Sequence, residues 1–395
     1  MQKRGQDWTS ALASDRNECE KESAMKKALI LGTLSPQADG IRYLKNNGWW
    51  VIGCGHRPQG RGMELVDQFE QVDLRDLATI EALARREKVA VLYSVASEMA
   101  LPALAIVPPK LGLPPVVPLH VVELAQNKVR LREFLANHGI SPVKFRQVHS
   151  ETDLEGWDTF PAIVKPVDSA GQRGVFRADS PEEIRARLER TLGFSSSRTA
   201  IIEEFLDGPE VSANAFVIDS QVVFNEISDR LVLENYPGGI PCGHVFPSQA
   251  CVGETLTKTK QMVEHCIHAL GIENGPIYFQ MKLTGKGPRI VEVMPRLDGC
   301  HIWRLIKTVI GVDLLEASFR LLLGYRDVDL QPRPAKTFCQ LTFFLSPPEQ
   351  IFHEADHPVP PGASYWEYRY RDGEEVRPVN GFMEVVGYYI AEKVS

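Results

Sequence analysis

No apolar run in the chain approaches the roughly 18 to 20 residues that a bilayer-spanning helix needs. The first residues, MQKRGQDWTSALASDRNECEKESA, carry no apolar segment of the secretory kind. Both absences argue against membrane insertion and secretion, so a cytoplasmic location is expected. Basic charge is also scarce: the formal net charge is -7, which argues against nucleic acid or an anionic membrane surface as the main partner. The seven cysteines (Cys19, Cys54, Cys242, Cys251, Cys266, Cys300, Cys339) form no C-x-x-C pair and no Cys/His spacing suited to zinc. They read as reduced thiols. A G-x-G-x-x-G fingerprint is missing, and no internal repeat of useful length is present.

What is there is an ordinary globular composition of 44% hydrophobic and 24% charged residues. At 395 residues two or three domains are expected. The polar leader, residues 1–24, reads as disordered, with the folded unit starting at Met25. From Lys27 the pattern KKALILG, a helical Asp39 to Asn47, WWVIGCG, a helical Leu77 to Glu87 and VAVLYSV predicts a parallel open sheet, a half-Rossmann unit over residues 25–117. The proline-dense stretch Pro108 to Pro118 marks its end.

A second unit is expected over residues 118–330. It opens with a helix from about Val121 to His138, stopped by Gly139. The segment 143–205 reads as a small subunit with a helix at Pro181 to Arg190. VSANAFVI and QVVFNEIS are strands joined at Asp219-Ser220. The glycine- and proline-rich Asn235 to Gln249 reads as a long loop of the functional kind. Leu256 to Leu270 is helical, IYFQMKL and RIVEVM pair across TGKGP, and Leu305 to Leu323 is helical. The remainder, residues 331–395, reads as a small β-rich closing domain.

Chemistry concentrates in four places. In FPAIVKPVDSAGQRGV, Lys165 ends a short buried strand, and Ser169, Gly171, Gln172 and Gly174 form a loop whose backbone can approach a phosphate. In IIEEFLDGPEVSAN, Glu203, Glu204 and Glu210 supply carboxylates able to accept from an adenine amino group and from ribose hydroxyls. Gln280 and Glu292 face each other across the TGKGP hairpin, an oxygen pair suited to magnesium between phosphates. PRLDG follows at once, and its Arg296 can clamp a charged oxygen. His244, Asp298, His301, Trp303 and Arg304 are candidates to shape a substrate pocket, with Arg296 and Arg304 able to hold a carboxylate bidentately.

In this order the pieces resemble the ATP-grasp superfamily of carboxylate-amine and carboxylate-thiol ligases, over roughly Lys26 to Leu323. The expected fold class is therefore multidomain α/β and α+β: an ATP-grasp fold preceded by a half-Rossmann parallel sheet and followed by a small β-rich domain. Asn127-Lys128-Val129-Arg130 is similar to the family's opening NK motif. By that resemblance Lys128 meets the α-phosphate of ATP, Lys165 the α- and β-phosphates, and the Ser169 to Gly174 loop closes over the β- and γ-phosphates. Glu203 resembles the adenine-side acid, the backbone of Glu204 and Leu206 flanks the base, and Glu210 resembles the ribose acid. Gln280 and Glu292 correspond to the positions holding Mg²⁺ or Mn²⁺. Met294 stands where many members carry an oxygen donor, so water or Asp298 is needed to complete the shell. The resemblance implies activation of a small carboxylic acid as an acyl phosphate and its capture by an amine, with a homodimer left open. Two alternatives are a bicarbonate-activating enzyme and an ATP-binding regulatory protein with little turnover.

Overall fold

A computed structural model describes residues 25–233, 235–236 and 239–393; the expected disordered leader lies outside them. The first unit runs β1 (Lys27–Leu31), α1 (Ser35–Asn46), β2 (Trp50–Gly55), β3 (Gln68–Gln71), α2 (Leu77–Glu87), β4 (Val91–Tyr93) and α3 (Leu101–Lys110). Its four parallel strands lie in the order β3-β2-β1-β4. The apolar runs that predict β1, β2 and β4 are buried apart from the first residues of β1 and β2, as a parallel sheet covered on both faces requires, whereas the edge strand β3, which no apolar run announces, is half-buried or exposed. Helix α1 begins at Ser35, four residues before the expected start, because Pro36 suits a first helical turn. Pro108 and Pro109 belong to α3 rather than to a boundary. Val107 and Pro108 are packed in its last turn.

Two helices, α4 (Leu119–Ala125) and α5 (Lys128–Asn137), replace the single one expected over Val121 to His138. Asn127 causes the break: its backbone is extended and its side chain accepts the Arg130 N–H as an N-cap. Lys128 therefore stands in the first turn of a helix.

A small antiparallel sheet follows, built from β5 (Phe145–Val148), β6 (Ala162–Pro166), β7 (Phe176–Ala178) and β8 (Ala200–Glu204) in the order β5-β8-β6-β7. Helix α6 (Pro181–Gly193) joins β7 to β8, with Ser180 as N-cap and Glu182 and Glu183 in its first turn. Val164, Phe176, Ile184, Leu188 and Ile202 give this layer a core of its own.

The rest is organised on one eight-stranded sheet. Its elements are β9 (Glu210–Ile218), β10 (Gln221–Leu233), β11 (Ile240–Phe246), α7 (Gly253–Leu270), β12 (Gly275–Thr284), β13 (Gly287–Met294), α8 (Ile302–Ile310), α9 (Leu314–Leu322), β14 (Cys339–Ser346), β15 (Tyr365–Tyr368) and β16 (Glu384–Glu392). The strand order is β13-β12-β9-β10-β11-β14-β16-β15. Asp219 and Ser220 both have positive φ, the geometry of a tight hairpin turn between β9 and β10. Three expectations need correcting. The supposed loop Asn235 to Gln249 contains β11, whose Pro241 is accommodated at a bulge against β10. The C-terminal residues are β-rich but form no separate sheet, because β14 pairs with β11 and extends the main one. The helix expected over Leu305 to Leu323 is two, since Gly311 takes a left-handed φ and Asp313 caps the second.

Alternation divides the middle of this sheet into unlike faces. Val211, Ala213, Ala215 and Val217 with Ile277, Phe279 and Met281 belong to the main core, along with Val263 and Ile267 of α7. The opposite face is polar. Register aligns Glu210, Ser212 and Asn214 of β9 with Arg230, Ser228 and Glu226 of β10 and with Lys282, Gln280 and Tyr278 of β12. His244 sits opposite Arg230, and Glu292 opposite Gln280.

Candidate active site

The small sheet and the polar face of the large one are tied by a single guanidinium. Arg132 on α5 donates from Nε to Glu203 Oε1 at 2.7 Å and from Nη1 to the Ile290 carbonyl of β13 at 2.6 Å. Lys165 Nζ closes on the other Glu203 oxygen at 2.7 Å. All three side chains are buried. Burial would raise the Glu203 carboxyl, but Arg132 and then Lys165 overrule it and hold it at about 2. Burial draws the Lys165 ammonium below its usual range, against the pull of Glu203. Sequence reasoning missed Arg132, although a signal was present: it lies three residues from Val129 and from Leu135, on the buried side of a helix, where a charge demands a partner. Glu203, taken as an adenine-side acid, has its side chain committed to Arg132 and Lys165.

Lys128 reaches the glycine loop. Its Nζ donates to the Ser169 carbonyl at 2.9 Å, and its backbone N–H to Val167 O at 3.0 Å. Gly171, Gln172 and Gly174 all have positive φ, the backbone freedom such a loop needs. A Cβ at Gly174 would come within 2.7 Å of the Phe194 ring. Gln172 donates to the Gly239 carbonyl, so the loop spans toward the turn before β11. The Ser169 hydroxyl is buried without a partner among the described residues. Glu204 accepts the Lys144 N–H at 2.9 Å. Leu206 lies in the connection between β8 and β9, half-buried.

On the large sheet, Glu210 is enclosed by cations: Arg230 pairs with Oε2, and Lys282 Nζ stands 3.3 Å from Oε1. Gln280 Nε2 also donates to Glu210, at 2.9 Å. With its amide nitrogen so engaged, Gln280 has its carbonyl oxygen left to act beside Glu292, its register partner. Met294 is a core side chain, 1% exposed, and offers no oxygen.

Glu98, in the segment after β4, was not singled out by its sequence context. Burial raises its carboxyl, Glu292 raises it further, and Arg296 and Lys128 oppose them. Charges from the start of α5, from β13 and from the turn after it thus act on one carboxyl of the first unit. Two polar groups here have nothing to bond among the described residues: Arg296 Nε, and both ring nitrogens of His244. His244 is fully buried, and burial together with the Arg230 guanidinium lowers it to about 3, so the ring is neutral.

The other pocket candidates lie elsewhere in the bonding. Asp298, read as a substrate or metal ligand, is turned inward: its carboxylate accepts the backbone N–H groups of Cys300 (2.6 Å) and Ile302 (3.2 Å), fixing the turn into α8. Burial raises it to about 6 despite those bonds. Arg304 is not a free carboxylate clamp. It pairs with Asp39 of α1, donates to the Tyr388 hydroxyl at 3.1 Å and covers the Tyr365 ring. His301 also belongs to that network, 3.3 Å from Asp39 and from the Ser35 hydroxyl and stacked on Tyr388. Trp303 is buried beside it, 4.8 Å from the His301 ring. These residues join the first unit to β16 instead of facing the Glu98 cluster. All cysteines among the described residues are free, and no helix there is long and apolar enough to cross a membrane.

Comparison with known proteins matches residues 158–303 to the ATP-grasp domain family. An uncharacterized protein of Sinorhizobium fredii is 26% identical over 227 residues, 55% of this chain and 45% of that protein. Human carnosine synthase 1 is 28% identical over 253 residues, 57% of this chain and 30% of that one. The matched part thus spans less than half the length of these relatives. Among solved structures, an L-amino acid ligase from Bacillus licheniformis superposes with a TM-score of 0.78 at 20% identity, covering 94% of each chain. That likeness shows a shared fold.

Proposed function

For a chain built on an ATP-grasp domain, we propose an ATP-dependent ligase that activates a substrate carboxylate as an acyl phosphate and joins it to an amine. The observation carrying this reading is the Gln280–Glu292 pair, in register on the large sheet, together with Lys128 donating to the Ser169 carbonyl of the glycine loop at 2.9 Å. Cations for phosphate oxygens, oxygen donors for a divalent ion and an unfilled arginine valence then border one space.

Lys128 and Lys165 meet the α- and β-phosphates, and the Ser169 to Gly174 loop covers the β- and γ-phosphates through its backbone N–H groups. Glu203 acts by anchoring Lys165, the backbone of Glu204 and Leu206 flanks adenine, and Glu210 receives the ribose. Glu292, the Gln280 carbonyl and Glu98 form an oxygen-only set suited to Mg²⁺ or Mn²⁺. Among the described residues no three His, Cys, Asp or Glu form a metal cage, which fits an ion held largely by phosphates. When bound, that ion neutralises phosphate charge.

A carboxylate oxygen of the acid attacks the γ-phosphorus and the bond to ADP breaks. The amine then attacks the acyl carbon, phosphate leaves with the electron pair, and the ammonium proton is lost to solvent or phosphate. Arg296 and neutral His244 match negative charge developing on the acyl oxygen. A closed loop keeps water from the acyl phosphate. The name carnosine synthase among similar proteins favours an amino acid or similar small acid.

A phosphate-release screen of acids and amines, singly and in pairs, tests this. Release that requires an acid and rises with an amine supports it. Release with bicarbonate alone supports the carboxylase alternative, and ATP binding without release supports the regulatory one.

A further inference from the structure

Arg369 lies just beyond β15, in the C-terminal segment, where its backbone N–H donates to Val386 of β16 at 2.7 Å. Its side chain turns toward the loop that follows Arg296. The only hydrogen bond it makes among the described residues is a long one, from Nη2 to the Gly299 carbonyl at 3.4 Å. Its Nε is buried with nothing to bond. A Cβ built at Gly299 meets nothing within 4 Å, so the space beside that carbonyl is open. Glu367, two residues back on β15, accepts from the Tyr365 and Tyr388 hydroxyls at 3.3 and 3.4 Å through Oε2 alone and does not bond Arg369; its Oε1 is buried without a hydrogen bond among the described residues.

Arg369 is not alone there. Cys300, next to Gly299, lies under the influence of Asp298 and of Arg230, Arg369 and Arg296. Of these arginines, Arg230 is paired with Glu210, whereas Arg296 and Arg369 each keep a buried Nε unbonded. Burial holds the Arg369 guanidinium below the usual arginine range, against the pull of Cys300, Tyr388 and Glu367. Arg369 is half-buried: its Nε is covered and unbonded, while its outer nitrogens stay accessible to an oxyanion delivered by a ligand. The phosphates already have Lys128 and Lys165, and Arg296 serves the reacting acyl group.

We infer that Arg369 is a specificity-determining residue that holds a spectator carboxylate, one the substrates carry but the reaction does not consume. This inference rests on the ligase reading. Such a carboxylate has two sources, the α-carboxylate of an amino acid serving as amine or the second carboxylate of a dicarboxylic acid. Planar guanidinium and planar carboxylate match bidentately, which a lysine cannot reproduce.

The test is steady-state phosphate release by the full chain and by Arg369→Gln and Arg369→Lys. Substrates are compared in matched pairs: alanine against alaninamide as amine, and succinate against butyrate as acid. The wild type should favour the carboxylate-bearing member of one pair, which identifies the source. In Arg369→Gln, kcat/KM for that member should fall roughly ten- to a hundredfold more than for its neutral counterpart, the worth of a charge-assisted hydrogen bond. The loss should sit in KM for that substrate rather than in KM for ATP. Arg369→Lys keeps the charge without the fork and should lie between, which serves if the glutamine variant folds poorly. Equal loss for both members of each pair, or unchanged discrimination, overturns the inference and leaves the ligase reading standing. No acid-dependent release by the wild type from any pair overturns both.

Discussion

Two histidines and two arginines among the pocket candidates, His301 and Arg304 against His244 and Arg296, have opposite fates. His301 and Arg304 are saturated: Asp39, Ser35, Tyr388 and the Tyr365 face account for their polar and π contacts. His244 and Arg296 are left open, with both imidazole nitrogens and one guanidinium nitrogen buried and unbonded among the described residues. Burial alone therefore does not separate a structural charge from a functional one. What separates them is whether the protein itself supplies the partners. The saturated residues fix two units against each other, and the open ones are the groups proposed to be completed by a ligand.

The sharpest way to break this comparison lies upstream of both pairs, at the phosphate side. Lys165→Ala removes the cation opposite Glu203, and Glu292→Ala removes the carboxylate proposed to hold the metal. Each should reduce acid-dependent ADP release at least roughly a thousandfold, since phosphoryl transfer depends almost wholly on positioning and charge neutralisation. Near-normal turnover in both variants, measured by coupled ADP assay, contradicts the assignment.

Next comes the open pair. Arg296→Ala and His244→Ala should each cost roughly a hundredfold in kcat, the usual size for loss of a transition-state donor. For Arg296→Ala thermal unfolding should shift little, because no charged protein partner is abandoned. The saturated pair should behave inversely. Arg304→Ala leaves buried Asp39 with Arg42 as its remaining cation, 2.8 Å away, so it should destabilise by about 2 kcal/mol while the folded fraction keeps turnover within a few-fold. Denaturant unfolding and active-site-normalised rates read the two effects separately. If Arg304→Ala instead lost turnover without losing stability, the roles would be reversed.

The smallest effect is on pH. Burial lowers His301 to about 4, although Asp39 pulls it upward, and lowers His244 to about 3. Both rings are neutral in the folded chain, whereas the unfolded chain binds their protons as pH falls below about 6.5. More protons bound in the unfolded state means stability that is lost on acidification. Unfolding free energy should therefore decline from pH 6.5 toward 4, and further below that as Asp39, held at about 2 by His301 and Arg304 against burial, approaches protonation in the unfolded chain. A His301→Gln variant should flatten the upper part of this slope. A slope unchanged by the substitution would show that His301 does not carry it.

The sequence made local pairings legible and left long-range ones hidden. Alternation and turn residues predict the β12–β13 hairpin and with it the Gln280–Glu292 pair that the register shows. Continuous apolar runs predict the parallel sheet in the same way. Residues brought from far along the chain gave no such signal. Arg132 meets Glu203 from 71 positions away, and Asp39 meets Arg304 from 265. Strand β11, rich in proline and glycine, is a strand only because β10 and β14 flank it, a tertiary override of propensity. Arg304 and Asp298 looked like free ligands because a sequence displays charge but not its partner. Glu98 and Arg369 were missed for the converse reason, since nothing near them in the chain marks a site.

The account stands or falls on ATP being spent on a carboxylate. Running the reaction with an acid labelled with oxygen-18 in its carboxyl group and weighing the released phosphate tests that directly. Transfer of one labelled oxygen per phosphate is the predicted result, because the acid's oxygen attacks phosphorus and leaves with it. Phosphate free of label, formed at the same rate as product, would contradict an acyl phosphate and with it the central claim.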